Sequence, residues 1–121
     1  MDTELIYEQA TAARAALRAG GVPRELLAAL YTQYDSAVEI DAFLDEAARI
    51  FPTGNCGLAS VYLQHLYGIG SVRRGYYNGQ RHTFLCLYPS QANDIIVDIT
   101  ADQFGGPKIY VGPLRAPWTL T

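Results

Sequence analysis

The dipeptide Asn78-Gly79 sits between two runs of strand-forming residues, Val72 to Tyr77 and Arg81 to Tyr88. A tight antiparallel turn needs two successive left-handed backbone positions, and asparagine followed by glycine supplies them, so this stretch reads as a β-hairpin. Pro89 to Asp94 makes a turn before a third strand, Ile95 to Ile99. Gly105-Gly106-Pro107 precedes a short fourth, Lys108 to Val111, while the tail from Gly112 to Trp118 holds too many prolines for a central strand. The second half of the chain is therefore expected to form three or four antiparallel strands.

Before Gly70 the period is helical. From Thr3 to Ala19, the residues Leu5, Ile6, Gln9, Ala12, Ala13, Ala16 and Leu17 recur at helical spacing in an alanine-rich segment that Gly20 and Gly21 stop. Pro23 fits the first turn of a second helix, with Leu26, Leu27, Leu30 and Tyr31 on one face, running to about Tyr34. A third, from Val38 to Ile50 with Asp35 or Ser36 as its cap, carries Ile40, Phe43, Leu44, Ala47 and Ala48 as a stripe and ends at Phe51-Pro52. The fourth begins at Pro52-Thr53-Gly54-Asn55-Cys56 and runs to Tyr67; Leu58, Ala59, Tyr62, Leu63 and Leu66 cover so much of its surface that it should be central and largely buried. Thr53 or Asn55 can accept hydrogen bonds from its first N–H groups. The class is α+β, in a single domain spanning 1–121, with residues 1–51 helical and 52–121 forming the central helix plus the sheet.

A chain of 121 residues, half of them hydrophobic, can bury a modest core. Its net charge is −3 and its nine Lys and Arg are scattered, so no basic stripe marks a nucleic-acid partner. The N-terminus lacks the basic flank and apolar run of a signal peptide, and no apolar run is long enough for a membrane span. The reading is cytoplasmic, with export as an effector by a dedicated system left open. Two cysteines, Cys56 and Cys86, are expected as free thiols in a reducing compartment, a regulatory disulfide being the alternative.

Cys56 opens a helix, where partial positive charge and unpaired N–H groups favour the thiolate. A buried structural thiol is its bland reading, but Gly54 and Gly57 flank it and leave room for a substrate backbone. His82 follows the hairpin turn and shares a strand face with Phe84, Cys86 and Tyr88. The other histidine, His65, lies nine residues beyond Cys56 on the same helix, roughly 13 Å along the axis, out of reach of the thiol. Asp98 interrupts an apolar strand, where a carboxylate is costly without a partner. An imidazole N–H on the adjacent strand would satisfy it and fix the ring's tautomer. Asp94 reads as a turn former and Asp102 as a local cap, while Cys86 reads as core. For an oxyanion the Cys56 backbone N–H is the natural donor, with Asn55 or Thr53 assisting. Gln103 and Phe104 are candidates to line a cleft, Gln103 alternatively closing a turn, and Tyr76 and Tyr77 are candidates for a cleft wall. Neither histidine has ligand spacing and there is no CxxC pair or phosphate-binding glycine loop, so no metal or cofactor is expected.

Three segments, Asn55-Cys56-Gly57-Leu58-Ala59-Ser60, Arg81-His82-Thr83-Phe84 and Val97-Asp98-Ile99-Thr100-Ala101-Asp102-Gln103-Phe104, resemble the papain-like cysteine peptidase and transglutaminase-like superfamily. The resemblance spans about Pro52 to Phe104 and leaves the three N-terminal helices unmatched. It implies a cysteine at the head of a helix packed on an antiparallel sheet, with the histidine and aspartate on neighbouring strands: Cys56 as nucleophile, His82 as base and Asp98 as orienter. The glutamine that papain carries several residues before its cysteine has no counterpart here, where Ala48, Arg49 and Ile50 stand. The expected activity is amide hydrolysis or acyl transfer through a thioester on a protein, peptide or small amide, covering peptidases, deamidases and transglutaminase-like enzymes. The alternative is a non-catalytic interaction module that retains the fold. Oligomeric state is not legible.

Overall fold

A computed structural model describes residues 2–121. Four helices come first: α1 (Thr3–Ala19), α2 (Arg24–Tyr34), α3 (Ile40–Ile50) and α4 (Cys56–Tyr67). Then follow β1 (Ser71–Tyr77), β2 (Gln80–Cys86), β3 (Ile96–Asp98), a short 3-10 helix (Ala101–Phe104), β4 (Tyr110–Gly112) and β5 (Trp118–Thr119). The fold is α+β, and its five-stranded sheet runs in the order β4-β3-β2-β1-β5 with every pairing antiparallel. The count exceeds the three or four strands expected, because the proline-rich tail ends in two residues that pair with β1, Tyr77 opposite Trp118 and Tyr76 opposite Thr119. An edge strand needs hydrogen bonds on one side alone, which such a tail can supply.

The local signals account for most boundaries. Asp2 accepts from the N–H of Glu4 at the start of α1, and Gly20, at φ 70°, closes it while Gly21 donates to Ala16 O. Asn78 and Gly79 both take positive φ, as the hairpin turn requires. One cap and one helix face differ from expectation. The side chain of Glu39 accepts from Asp41 and Ala42 and starts α3, whereas Asp35 spends its carboxylate on Ala37 N in the preceding turn. In α1 the buried face is Ile6, Ala10, Ala13 and Arg14, so Leu5, Gln9 and Ala12, expected inside, are exposed. The stripe at i, i+4, i+7 and i+8 is the one that meets α4 and the sheet.

Two layers of apolar side chains hold the sheet. On one face Leu85, Val97 and Ile99 meet Ala59, Leu63 and Tyr67 of α4 and Ile6, Ala10 and Ala13 of α1. Tyr88, beyond the end of β2, joins this layer and leaves the strand face predicted for it. On the opposite face Phe84, Cys86 and Ile96 meet Tyr77, Ala101 and Trp118. A third cluster, Tyr31, Leu44, Ala47, Leu58 and Val61, fastens α2 and α3 to α4. The fourth helix is thus central, as its composition predicted, although Leu66 is exposed.

The β1–β5 edge depends on one small residue. A Cβ on Gly75 would lie 2.4 Å from Thr119 O and 3.0 Å from the Phe84 ring. Gly75→Ala is therefore expected to displace β5 and to cost about 1–3 kcal/mol, the usual penalty for forcing atoms into a packed site. A denaturant midpoint checks it, and an unchanged midpoint would show that β5 yields freely.

Candidate active site

Cys56 is delivered by the turn Pro52–Asn55, which is pinned on two sides. Asn55, buried, donates its side-chain amide to Ala47 O and Thr53 O, each at 2.9 Å. Gln103 Oε1 accepts from Gly54 N at 3.3 Å, and Gln103 Nε2 donates to Thr100 O at 3.1 Å. Asn55 occupies the N-cap position but its side chain makes no cap bond, and Thr53 contributes a carbonyl, so neither side chain satisfies the first turn of α4 as expected. The first intrahelical bond runs from Ala59 N to Asn55 O. The N–H groups of Cys56, Gly57 and Leu58 therefore have no intrahelical acceptor, and the helix begins with its positive end at the thiol.

His82 lies on β2 opposite Gly75, its side chain fully buried. Its Nε2 is 2.6 Å from Asp98 Oδ2; a carboxylate can only accept, so Nε2 carries the proton. Asp98 takes further bonds from Trp118 Nε1 at 2.7 Å on the same oxygen and from Thr100 N at 3.0 Å on the other. A buried carboxylate is thus fully satisfied by donors. The edges of Phe104 and Tyr77 close around the imidazole, with ring centroids 5.2 and 6.3 Å away. These contacts leave Nδ1 buried and without a hydrogen-bond partner.

Cys56 and His82 line one cavity, and each shifts the other. Burial pushes the Cys56 pKa up, but the combined influence of His82 and Thr83 outweighs it, and the thiol ends below its ordinary value. Burial pushes His82 down, yet the hydrogen bond to Asp98 and the interaction with Cys56 raise it to about 9. Both shifts run the same way, toward a thiolate beside an imidazolium. Cys86 differs sharply: it is a free thiol buried in the opposite layer, and burial first, then Asp94, pushes its pKa up to about 12. Cys56 is free as well, so no disulfide joins them.

Cys56 opens onto a cavity of about 360 Å³ whose other walls are Arg74, Gly75, Tyr76, Arg81, His82 and Thr83. A larger cavity, about 680 Å³, lies between α2, α4 and β1 and contains His65 but no member of the triad. The three sequence candidates, Cys56, His82 and Asp98, converge. Asn55 and Gln103 position the turn, and Asp94 closes one by accepting from Tyr88 N. Asp102 is not a local cap: it is paired with Arg14. Sequence reasoning missed Trp118, because a proline-rich tail gives no sign that its indole returns to a carboxylate 20 positions earlier. Among the described residues no three His, Cys, Asp or Glu side chains are grouped to hold a metal, and no helix is long and apolar enough to cross a membrane. Against known proteins the chain matches no family model, no curated protein and no solved structure, which leaves the Cys56, His82 and Asp98 geometry as the ground for a functional reading.

Proposed function

We propose that the protein is a cysteine-dependent amide hydrolase or acyl transferase on the papain-like and transglutaminase-like plan. The observation that carries this reading is His82, whose Nε2 is held by Asp98 while its buried Nδ1 has no hydrogen-bond partner, on the wall of the cavity it shares with a thiol of lowered pKa. The Cys56 thiolate attacks the substrate carbonyl, and the oxyanion draws on the free N–H groups at the head of α4. His82 gives its Nδ1 proton to the departing amine, which leaves an acyl thioester on Cys56. Nδ1 then takes a proton from water or from an acceptor amine, which attacks the thioester and releases Cys56. Asp98, with Trp118 and Thr100 behind it, keeps the ring in the tautomer that this relay needs.

The test uses a generic acyl donor. With p-nitrophenyl acetate the protein is expected to release a burst of p-nitrophenolate and to carry acetyl on Cys56 in a peptide map. Cys56→Ala should abolish both. With an amide substrate the rate should rise with pH as Cys56 ionises and fall again near pH 9, where His82 loses the proton that the leaving amine needs, whereas the activated ester, whose phenolate leaves unprotonated, should give the acid limb alone. A protein whose Cys56→Ala variant behaves as the parent would instead be a binding module.

A further inference from the structure

Resting on the thiol-enzyme reading above, we infer that the pocket selects acyl compounds carrying a carboxylate close to the reacting carbonyl, and that Arg74 and Arg81 are the residues that select them. The register places Arg74 opposite Thr83 and Tyr76 opposite Arg81 on β1 and β2. Residues directly opposite in an antiparallel pair share a face, as do alternate residues along a strand, so these four side chains form one contiguous patch. All four line the cavity that holds Cys56. Both arginines are exposed, and no aspartate or glutamate lines that cavity.

Of the chain's eight arginines, Arg14, Arg24 and Arg49 are matched to carboxylates, and of the other five Arg74 and Arg81 are the two that line the cavity of Cys56. Among the described residues no ion pair engages Arg74 or Arg81. Arg74 is nevertheless held in place: its Nε donates to the Tyr34 hydroxyl at 3.0 Å, and the guanidinium lies over the Tyr34 ring at 5.2 Å. That anchoring uses one of its five N–H donors and leaves the planar fork to a ligand. Tyr34 in turn packs against the backbone at Gly57, next to the nucleophile. A protein with net charge −3 thus lines the cavity of its reactive sulfur with two arginines and no carboxylate, Asp98 being spent on His82 and Asp35 lying near enough to Arg74 to raise its pKa. Such a field draws carboxylates to the thiolate and repels cationic substrates.

A pair of alkylating reagents that differ only in charge near the reacting carbon tests this. In each case the Cys56 sulfur forms a bond to the methylene carbon and iodide departs with the bonding pair; iodoacetate carries a carboxylate beside that carbon, iodoacetamide a neutral amide. Rates at Cys56, followed by peptide mapping so that Cys86 is scored separately, give a ratio of iodoacetate to iodoacetamide. The His82 imidazolium favours the anion in every variant, so the change in ratio isolates the arginines. In Arg81→Gln the ratio should fall about twofold to threefold, and in the Arg74→Gln/Arg81→Gln double variant about threefold to tenfold, as expected for exposed charge pairs. The iodoacetamide rate should fall less than the iodoacetate rate, and an unchanged urea midpoint shows that the variants are folded. A ratio unchanged in the double variant, with iodoacetamide still fast, overturns the selectivity and leaves the thiol-enzyme reading standing. Slow iodoacetamide labelling of Cys56 in the parent protein, no faster than an ordinary thiol, removes both.

Discussion

In Asp98→Asn, acyl transfer at neutral pH is expected to fall by about four orders of magnitude, the loss that a misplaced tautomer costs a serine triad. Every group around Asp98 is a donor: His82 Nε2–H and Trp118 Nε1–H on one oxygen, Thr100 N–H on the other. An asparagine must aim its NH2 at one side. Towards Thr100 it meets a backbone N–H; towards β2 it meets the indole N–H, which unlike imidazole has no second tautomer. His82 also loses the charge that raises its pKa to about 9, and its burial then favours the neutral ring. With no imidazolium beside it, Cys56 loses the main influence that lowers its own pKa. The checks are the burst with p-nitrophenyl acetate and the acid limb of the pH profile, which should move upward. Trp118→Phe keeps the ring and removes one donor, so it should restore part of the activity when combined with Asp98→Asn. An Asp98→Asn protein with the parent's burst and pH profile would mean that Asp98 is structural and that the thiol is activated by the helix end alone.

The pairing of His82 with Asp98 was legible because a carboxylate in an apolar strand needs a donor and His65 is out of reach of Cys56, which leaves His82. Such signals are visible in one short window of sequence. The same is true of the hairpin at Asn78-Gly79 and of the end of α1 at Gly20, where backbone conformation dictates residue type. What stayed hidden is whatever depends on long-range partners. Asn55 looks like a side-chain acceptor for α4, but the fold uses it as a donor to the end of α3. The pairing of Trp118 with β1, and its indole with Asp98, requires the tail to cross back over a strand edge that no periodicity announces. Arg14, outside the apolar residues that mark α1 in the sequence, is nevertheless buried.

Arg14→Met is expected to be the most destabilising change outside the triad, by about 3–5 kcal/mol, the cost of leaving one partner of a buried ion pair unmatched. Arg14 Nη1 and Nη2 clasp Asp102 Oδ1 and Oδ2, each at 2.8 Å, and Nη1 also donates to Ile99 O at 2.7 Å. The guanidinium stacks over Phe51 at 5.2 Å. One side chain of α1 therefore ties together the segment after β3, the 3-10 helix and the end of α3. Methionine fills the volume but abandons a carboxylate whose side chain is only 18% exposed, together with a buried carbonyl. Because single domains are stable by about 5–15 kcal/mol in all, such a loss shows as a large fall in the urea midpoint. Arg14→Lys should recover part of it, since an ammonium cannot make the planar double clasp. Adding Asp102→Leu to Arg14→Met should recover most of it, because an apolar pair of similar volume removes the abandoned charge. The effect should reach the active site: Asp102 adjoins Gln103, which holds Gly54 two residues before Cys56, so iodoacetamide labelling of Cys56 should slow in Arg14→Met even where the protein is still folded. An unchanged midpoint with unchanged labelling would reduce the N-terminal helix to a cover on the sheet. A lowered midpoint with slowed labelling would make it the brace that keeps the cysteine turn in register with His82.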